Sequence, residues 1–341
     1  MDQIATLPAA DREALFQEVA TRRGLSFLVI EKDFWVCWAL RRVFELRPLG
    51  ENLIFKGGTS LSKVFSLIER FSEDIDLSIR RDYLGAVGDA DPEQEGISNT
   101  QKDKRVAALR ESCRTVVHKE MLPALQASLT VCLGGLAWQL LPDPAERGTL
   151  LFFYPSSVQA NAAMPAYIRP QVKLEMGAGS DPYPIGRHPV RAYAAETFPD
   201  VFGESEVIVT ALEAERTFWE KATLLHADCH RPAEKAAPAR LSRHFYDLMR
   251  LALQPVGVRA LADDALRERV VRHKSTYFAS SWASYSSAHP GTFQLVPGPD
   301  RLSSLRQDYS QMRDMIFADP PSFKEIIEVI TDLEARINAR R

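Results

Sequence analysis

The stretch at 56–79, KGGTSLSKVFSLIERFSEDIDLSI, carries a glycine pair, a short apolar-periodic run, and two aspartates separated by one isoleucine. Behind GGTS, the residues Leu61, Val64, Phe65 and Ile68 fall at i, i+3, i+4 and i+7, which predicts the apolar face of a short helix. Gly57 and Gly58 at the start of that helix let backbone N–H groups and the Ser60 hydroxyl approach a phosphate; a simple tight turn is the plainer reading. FSEDIDLSI then alternates. Phe71, Ile75, Leu77 and Ile79 project to one face of a strand, and Ser72, Asp74, Asp76 and Ser78 to the other.

The two aspartates therefore share a face. Residues two apart on a strand lie roughly 6.5–7 Å apart at Cα, and their carboxylates can converge on divalent cations. Two like charges so placed repel each other unless a cation relieves them, although an exposed polar face on an edge strand needs no ligand at all. A third carboxylate is offered by RPQVKLEM at 169–176, where Val172, Leu174 and Met176 alternate with Lys173 and Glu175. Paired beside 71–79, that strand brings Glu175 to a three-carboxylate cluster, while an ordinary amphipathic strand explains the same pattern. Acidic oxygen donors without histidine or cysteine suit Mg²⁺ or Mn²⁺ rather than zinc.

Composition sets the frame. The chain has 341 residues, 45% of them hydrophobic, enough for a sizeable core in two or three subdomains. No run of 18 apolar residues occurs, and the N-terminus MDQIATLPAADREALFQEVA is acidic and amphipathic, so a cytoplasmic protein without a membrane partner is expected. Cys37, Cys113, Cys132 and Cys229 are isolated, which argues against a disulfide framework or a zinc site and for buried thiols. Forty-two Lys and Arg against 45 Asp and Glu leave a net charge of −3, so no global charge demands nucleic acid.

Three zones follow. Residues 1–48 read as helices, one ending at Gly24 and one, EKDFWVCWALRRVFEL, whose aromatic residues suit core packing better than base stacking. Residues 49–210 form an α+β core with strands at NLIF, LTVCLG, TLLFFYP, PQVKLEM and EVIVTAL, a helix at about 101–127, and a surface loop over 80–104. Residues 211–341 are helical, with a long connection at HADCHRPAEKAAPARL.

GGTS, then SEDID, then KLE, followed by FWEKATLLHA and RHFYDL, resembles the AbiEii/MenT-type nucleotidyltransferase toxins of the DNA polymerase β-like nucleotidyltransferase superfamily, from about residue 31 to the C-terminal helices. The resemblance implies a nucleotidyltransferase-like mixed sheet core with N-terminal helices and a C-terminal helical domain. It implies Gly57, Gly58 and Ser60 as the nucleotide-phosphate loop, Asp74 and Asp76 as metal ligands, Lys221 as a triphosphate contact and Asp247 as a further active-site carboxylate. Glu175 is the least distinctive match.

The helical motifs have plainer readings too. Lys221 adjoins the apolar stripe of Phe218, Ala222 and Leu225, as a surface lysine or as an ammonium reaching a cleft. Arg240, His244 and Asp247 fall at i, i+4, i+7, with Arg243 four residues before Asp247. This face is either a surface ion pair or the wall of a nucleotide cleft with Arg240 and Arg243 on triphosphate or RNA backbone; His244 reads as structural, and the other histidines as background. Arg80, Arg81, Lys102, Lys104, Arg105, Arg187, Arg272 and Lys274 are scattered cations.

The expected reaction is Mg²⁺-dependent nucleotidyl transfer from an NTP with release of pyrophosphate, to an acceptor that by resemblance is RNA at the tRNA 3′ end, which blocks translation. A toxin of a bacterial toxin–antitoxin or phage-defence (abortive infection) system with a cognate antitoxin protein follows from the family alone. Transfer to a protein or small-molecule hydroxyl, and a catalytically idle binding module, are the alternatives.

Overall fold

The computed structural model describes residues 1–72, 74–157, 169–179, 181–236, 238–317 and 319–340. They form two compact units, one of Met1–Val64, Ser72–Gln94 and Asp103–Ala211, the other of Phe65–Phe71, Glu95–Lys102 and Leu212–Arg341.

The first unit is built on a mixed sheet of β1 (Leu53–Lys56), β2 (Asp74–Ile79), β3 (Gln139–Pro142), β4 (Thr149–Phe153), β5 (Gln171–Gly177), β6 (Ile185–Val190) and β7 (Val207–Leu212), in the order β3-β4-β5-β2-β1-β7-β6. β2 lies at the centre, antiparallel to β1 and parallel to β5. Its Ile75, Leu77 and Ile79 are fully buried while Asp74 and Asp76 are half-buried, the alternation expected of a strand with one dry face. The strand begins at Asp74 rather than Phe71, whose N–H instead donates to the Met315 carbonyl of the second unit.

The Phe27–Glu45 helix supplies much of the core. Ser26 caps it by accepting the Val29 N–H, and Trp35 and Trp38 are wholly buried. Trp35 stacks on Tyr154 with centroids 5.4 Å apart, and Trp38 on Phe152 at 5.9 Å, so these rings pack the interior as expected. The preceding helix stops at Gly24, whose φ of 65° is left-handed.

Three local expectations are corrected. LTVCLG is not a strand but the end of the Leu122–Leu133 helix: Leu125, Leu129 and Leu133 are buried at four-residue spacing and Val131 is exposed, so the helical period overrides β-propensity. The helix expected over 101–127 runs as Asn99–Val116, a wider π-type turn at Val117–Met121, and Leu122–Leu133, the turn sitting where Pro123 lacks an N–H to donate. The helix after the glycine pair spans only Gly57–Lys63; Ser66 adopts φ 53°, and Phe65–Phe71 joins the second unit, so Leu61 and Ile68 do not line one helical face.

The second unit is helical over Ala214–Cys229, Ser242–Ala252, Pro255–Ala262, Asp264–Tyr277, Pro299–Met312 and Phe323–Asn338. Ser322 and Glu325 close a capping box at the start of the last helix.

Candidate active site

β1 ends at Lys56, opposite Asp76 in the antiparallel register, and the chain turns at once into the Gly57–Lys63 helix. Gly57 has φ +79°, and a Cβ there would stand 2.0 Å from Asp76 Oδ2 and 2.7 Å from its Cγ. Only glycine allows this backbone to lie against this carboxylate. Thr59, fully buried, donates its hydroxyl to the Asp74 carbonyl at 2.6 Å, tying the helix to the first residue of β2. Ser60 is buried as well and donates to the Gly57 carbonyl at 3.0 Å, and Gly58 is half-buried in the same turn.

The far end of this helix is also anchored. Lys63 Nζ lies 2.6 Å from Asp33 Oδ1, both nearly inaccessible, and 3.6 Å from the centre of the Tyr193 ring. The Asp33 charge holds the lysine protonated, its pKa raised although burial alone would lower it; burial likewise pushes the Asp33 carboxyl up, against Lys63 and the Tyr193 N–H.

On the other side of β2, the parallel register sets Asp76 directly beside Glu175 and Asp74 beside Lys173. The strand pairing expected for Glu175 is present, but its carboxylate is engaged by Lys173 at 2.7 Å, and Lys173 also reaches Glu146 at 2.8 Å. Among the described residues, no three His, Cys, Asp or Glu side chains are grouped to hold a metal ion. The all-oxygen donors Asp74 and Asp76, on one face of β2 with Gly57 packed against Asp76, suit a hard divalent cation.

The second unit contains a different charge cluster. Asp247, fully buried, receives a two-pronged contact from Arg70, Nε to Oδ1 at 2.7 Å and Nη2 to Oδ2 at 2.8 Å, and Lys221 Nζ lies 2.7 Å from Oδ2. Two cations thus share one carboxylate. Burial opposes the Asp247 charge, but Arg70 and Lys221 hold its carboxyl well below the usual range. Burial, with Arg70 close by, lowers the Lys221 ammonium despite Asp247. Half-buried His244, its Nδ1 3.4 Å from Lys221 Nζ, is driven well below its ordinary value by burial and then by Lys221 and Arg243.

A sequence description of one family, the nucleotidyl transferase AbiEii toxin of type IV toxin–antitoxin systems, matches residues 38–329. The chain belongs to the AbiEii nucleotidyltransferase toxin family. As an AbiEii protein it is a nucleotidyltransferase, and the type IV toxin–antitoxin setting implies an NTP substrate and an antitoxin partner. Among solved structures it is similar to MenT4, a nucleotidyltransferase toxin from Mycobacterium tuberculosis H37Rv, with 16% identity, 94% of this chain and 98% of that chain covered, and a TM-score of 0.39. No curated protein matches the chain. Among the described residues, no helix is long and apolar enough to cross a membrane.

In this AbiEii protein, Lys221 and Asp247 depart only from the plainer of their two readings. Lys221 is buried, not a surface lysine. Asp247 bonds Arg70 and Lys221 and so is not part of a surface ion pair. Arg240 lies outside the Ser242–Ala252 helix with φ 59°, so it does not share a helical face with His244 and Asp247; its N–H and that of Ser242 donate to the Asp308 carboxylate at 2.9 and 2.8 Å. Sequence reading missed Arg70, Thr59, Lys63 and Asp33. Lys63 and Thr59 stand inside the quoted motif, but nothing local marks Arg70 as the partner of a residue 177 positions away.

Proposed function

We propose that this AbiEii nucleotidyltransferase transfers a nucleotide from an NTP to the 3′ end of an RNA, tRNA first among candidates, and that it acts in the cytoplasm as a toxin restrained by its antitoxin. The observation that carries this reading is the pair Asp74 and Asp76, half-buried on one face of a strand whose other face is dry, with Gly57 pressed against Asp76.

Asp74 and Asp76 would hold Mg²⁺ or Mn²⁺, with Glu175 joining them on release from Lys173. The bound cation supplies charge neutralisation at the NTP phosphates. The chain's own part is positioning. By the family resemblance Gly57 and Gly58 belong to the phosphate loop; Gly57 leaves room for the Asp76 carboxylate, Thr59 fixes the turn to β2, and the Lys63–Asp33 pair pins the far end of the same helix. We assign Ser60 to the phosphate loop by the family resemblance, its hydroxyl turning from the Gly57 carbonyl. By the same resemblance Lys221, Arg240 and Arg243 are assigned as nucleotide contacts and Asp247 as a further active-site carboxylate, one that pairs with Lys221. In the reaction an acceptor hydroxyl loses its proton to solvent and attacks the α-phosphorus, the bond from that phosphorus to the β-phosphate oxygen breaks, and pyrophosphate leaves.

The test is incubation of the purified protein with total tRNA, Mg²⁺ and each α-labelled NTP in turn, beside Asp74→Ala and Asp76→Ala. Label in tRNA that disappears in both variants is the expected result. Label in protein or a small molecule instead would move the acceptor while keeping the chemistry, and label nowhere would sink the transferase reading.

A further inference from the structure

The helical unit contains a pocket of about 340 Å³, within the size range of ligand sites, whose lining combines aromatic rings with cations. Phe278, Trp282 and Tyr285 supply the rings, Arg243 and Lys274 the positive charge, and Leu224 an apolar wall. All of these side chains are half-buried or exposed, so they are accessible from the pocket.

The charge balance defines the ligand. The acid in the lining, Asp228, is already engaged by Arg231 at 2.7 Å and Arg301 at 3.6 Å. Among the described residues, no carboxylate lies within ion-pair distance of Arg243. A purely apolar ligand would desolvate Arg243 with no counter-charge, a cost that hydrophobic contact does not recover. A bare phosphate would satisfy the guanidinium but leave three aromatic rings facing water in a space several times its size. A planar ring joined to an anion meets both requirements.

Cations lie over two of the rings. The Arg231 guanidinium lies 4.3 Å over the Trp282 ring, and Lys274 Nζ 4.4 Å over Phe278. A π-face backed by a guanidinium gives sequence-tolerant base stacking, the arrangement by which proteins hold unpaired nucleotides.

We propose that this pocket binds a single unpaired nucleotide, its base stacked on Trp282 and its phosphate on Arg243. The inference rests on the reading of the chain as a transferase acting on nucleotides, and two sources share this chemistry: a free nucleotide and the unpaired end of an RNA acceptor.

The experiment is calorimetric titration of the full chain without divalent cation, which keeps the β2 carboxylates out of the measurement. The probes are the four nucleoside 5′-monophosphates and a short RNA hairpin with an unpaired 3′ end. Binding is expected to weaken about tenfold or more in Trp282→Ala and Arg243→Ala, to persist in Trp282→Phe, and to persist in the double variant Asp74→Asn/Asp76→Asn. Binding of monophosphates assigns the free nucleotide; binding of the hairpin alone assigns the RNA end. Unchanged binding in Trp282→Ala, or no binding of any probe to the wild type, overturns the proposal. Trp282-dependent binding in a protein that labels no acceptor would leave the pocket standing and remove the transferase reading. Transfer whose KM for NTP and for RNA is untouched by Trp282→Ala would do the reverse.

Discussion

Gly57 and Asp76 are in contact at a distance that only the absence of a Cβ permits: one built on Gly57 would meet Asp76 Oδ2 at 2.0 Å. The glycine is also held at φ +79°, where an L side chain is strained. Gly57→Ala should therefore cost about 1–2 kcal/mol of stability and, by swinging the Asp76 carboxylate aside, lower nucleotidyl transfer by about tenfold or more. Thermal melts beside the labelled-NTP assay separate the two effects. Activity equal to wild type would show that the Asp76 position is not critical.

Asp74→Asn and Asp76→Asn each remove an oxygen-donor charge for the cation and should lower transfer by at least about a hundredfold. Added Mg²⁺ should raise the melting temperature of the wild type and of neither variant. Transfer close to wild type in both variants would take the cation away from these carboxylates.

Lys63→Met leaves Asp33 buried without its cation and should cost about 3–5 kcal/mol in urea unfolding. Combining it with Asp33→Leu should recover part of that loss, read as a coupling energy in a double-mutant cycle. Strict additivity of the two substitutions would remove the pair from the account of the glycine helix.

Asp247→Ala strands Arg70 and Lys221 in the helical unit and should be among the most destabilising single changes, about 3–5 kcal/mol. The folded-state pKa of Asp247 is depressed, so its stabilisation is fully present above the unfolded value of about 3.9 and is lost as pH falls through the folded value. The stability gap between wild type and variant should hold constant from pH 7 to 5 and close only in strong acid. A gap already closing near neutral pH would contradict the cluster.

His226 gives a pH dependence of a different origin. Its Nδ1 accepts the Gln294 N–H at 3.0 Å, which leaves the Nε2 proton to donate to the Ser284 carbonyl at 3.1 Å and fixes a neutral ring. Burial, foremost, lowers its pKa to about 4. Because the unfolded ring takes a proton below about 6.5 and the folded ring does not until about 4, the unfolded state binds more protons in that window. The melting temperature should fall as pH drops through it, by an equivalent of up to about 3 kcal/mol. A His226→Gln variant should be less stable at pH 7 and show a flatter profile; an unchanged slope would assign the dependence to other groups.

The legibility of the site followed the range of each interaction. GGTS, the alternation of Asp74, Ile75, Asp76 and Leu77, and the Phe218, Ala222 and Leu225 stripe are patterns within about ten residues, and each appears in its expected element. The face shared by Asp74 and Asp76 and the need for glycine before Ser60 were readable for that reason, as was the family. The end of the Gly57 helix was not, because the apolar run through Ile68 divides between two units, and a periodic pattern does not record which body each residue joins. Arg240 was misplaced on a helical face because Asp308 holds its N–H and that of Ser242 where the helix begins.

By itself, the amino-acid sequence determined most local elements and the face that Asp74 and Asp76 share, since these depend on side-chain period, and its motifs carried the resemblance to the AbiEii family. Tertiary structure decided the partners. Glu175 stands beside Asp76 through strand order, Asp247 is held by an arginine 177 residues away, and Arg243 meets Trp282 and Lys274 around one pocket. Those pairings are settled by which distant segments close on one another, and the free energy of a buried charge then selects the partner that neutralises it.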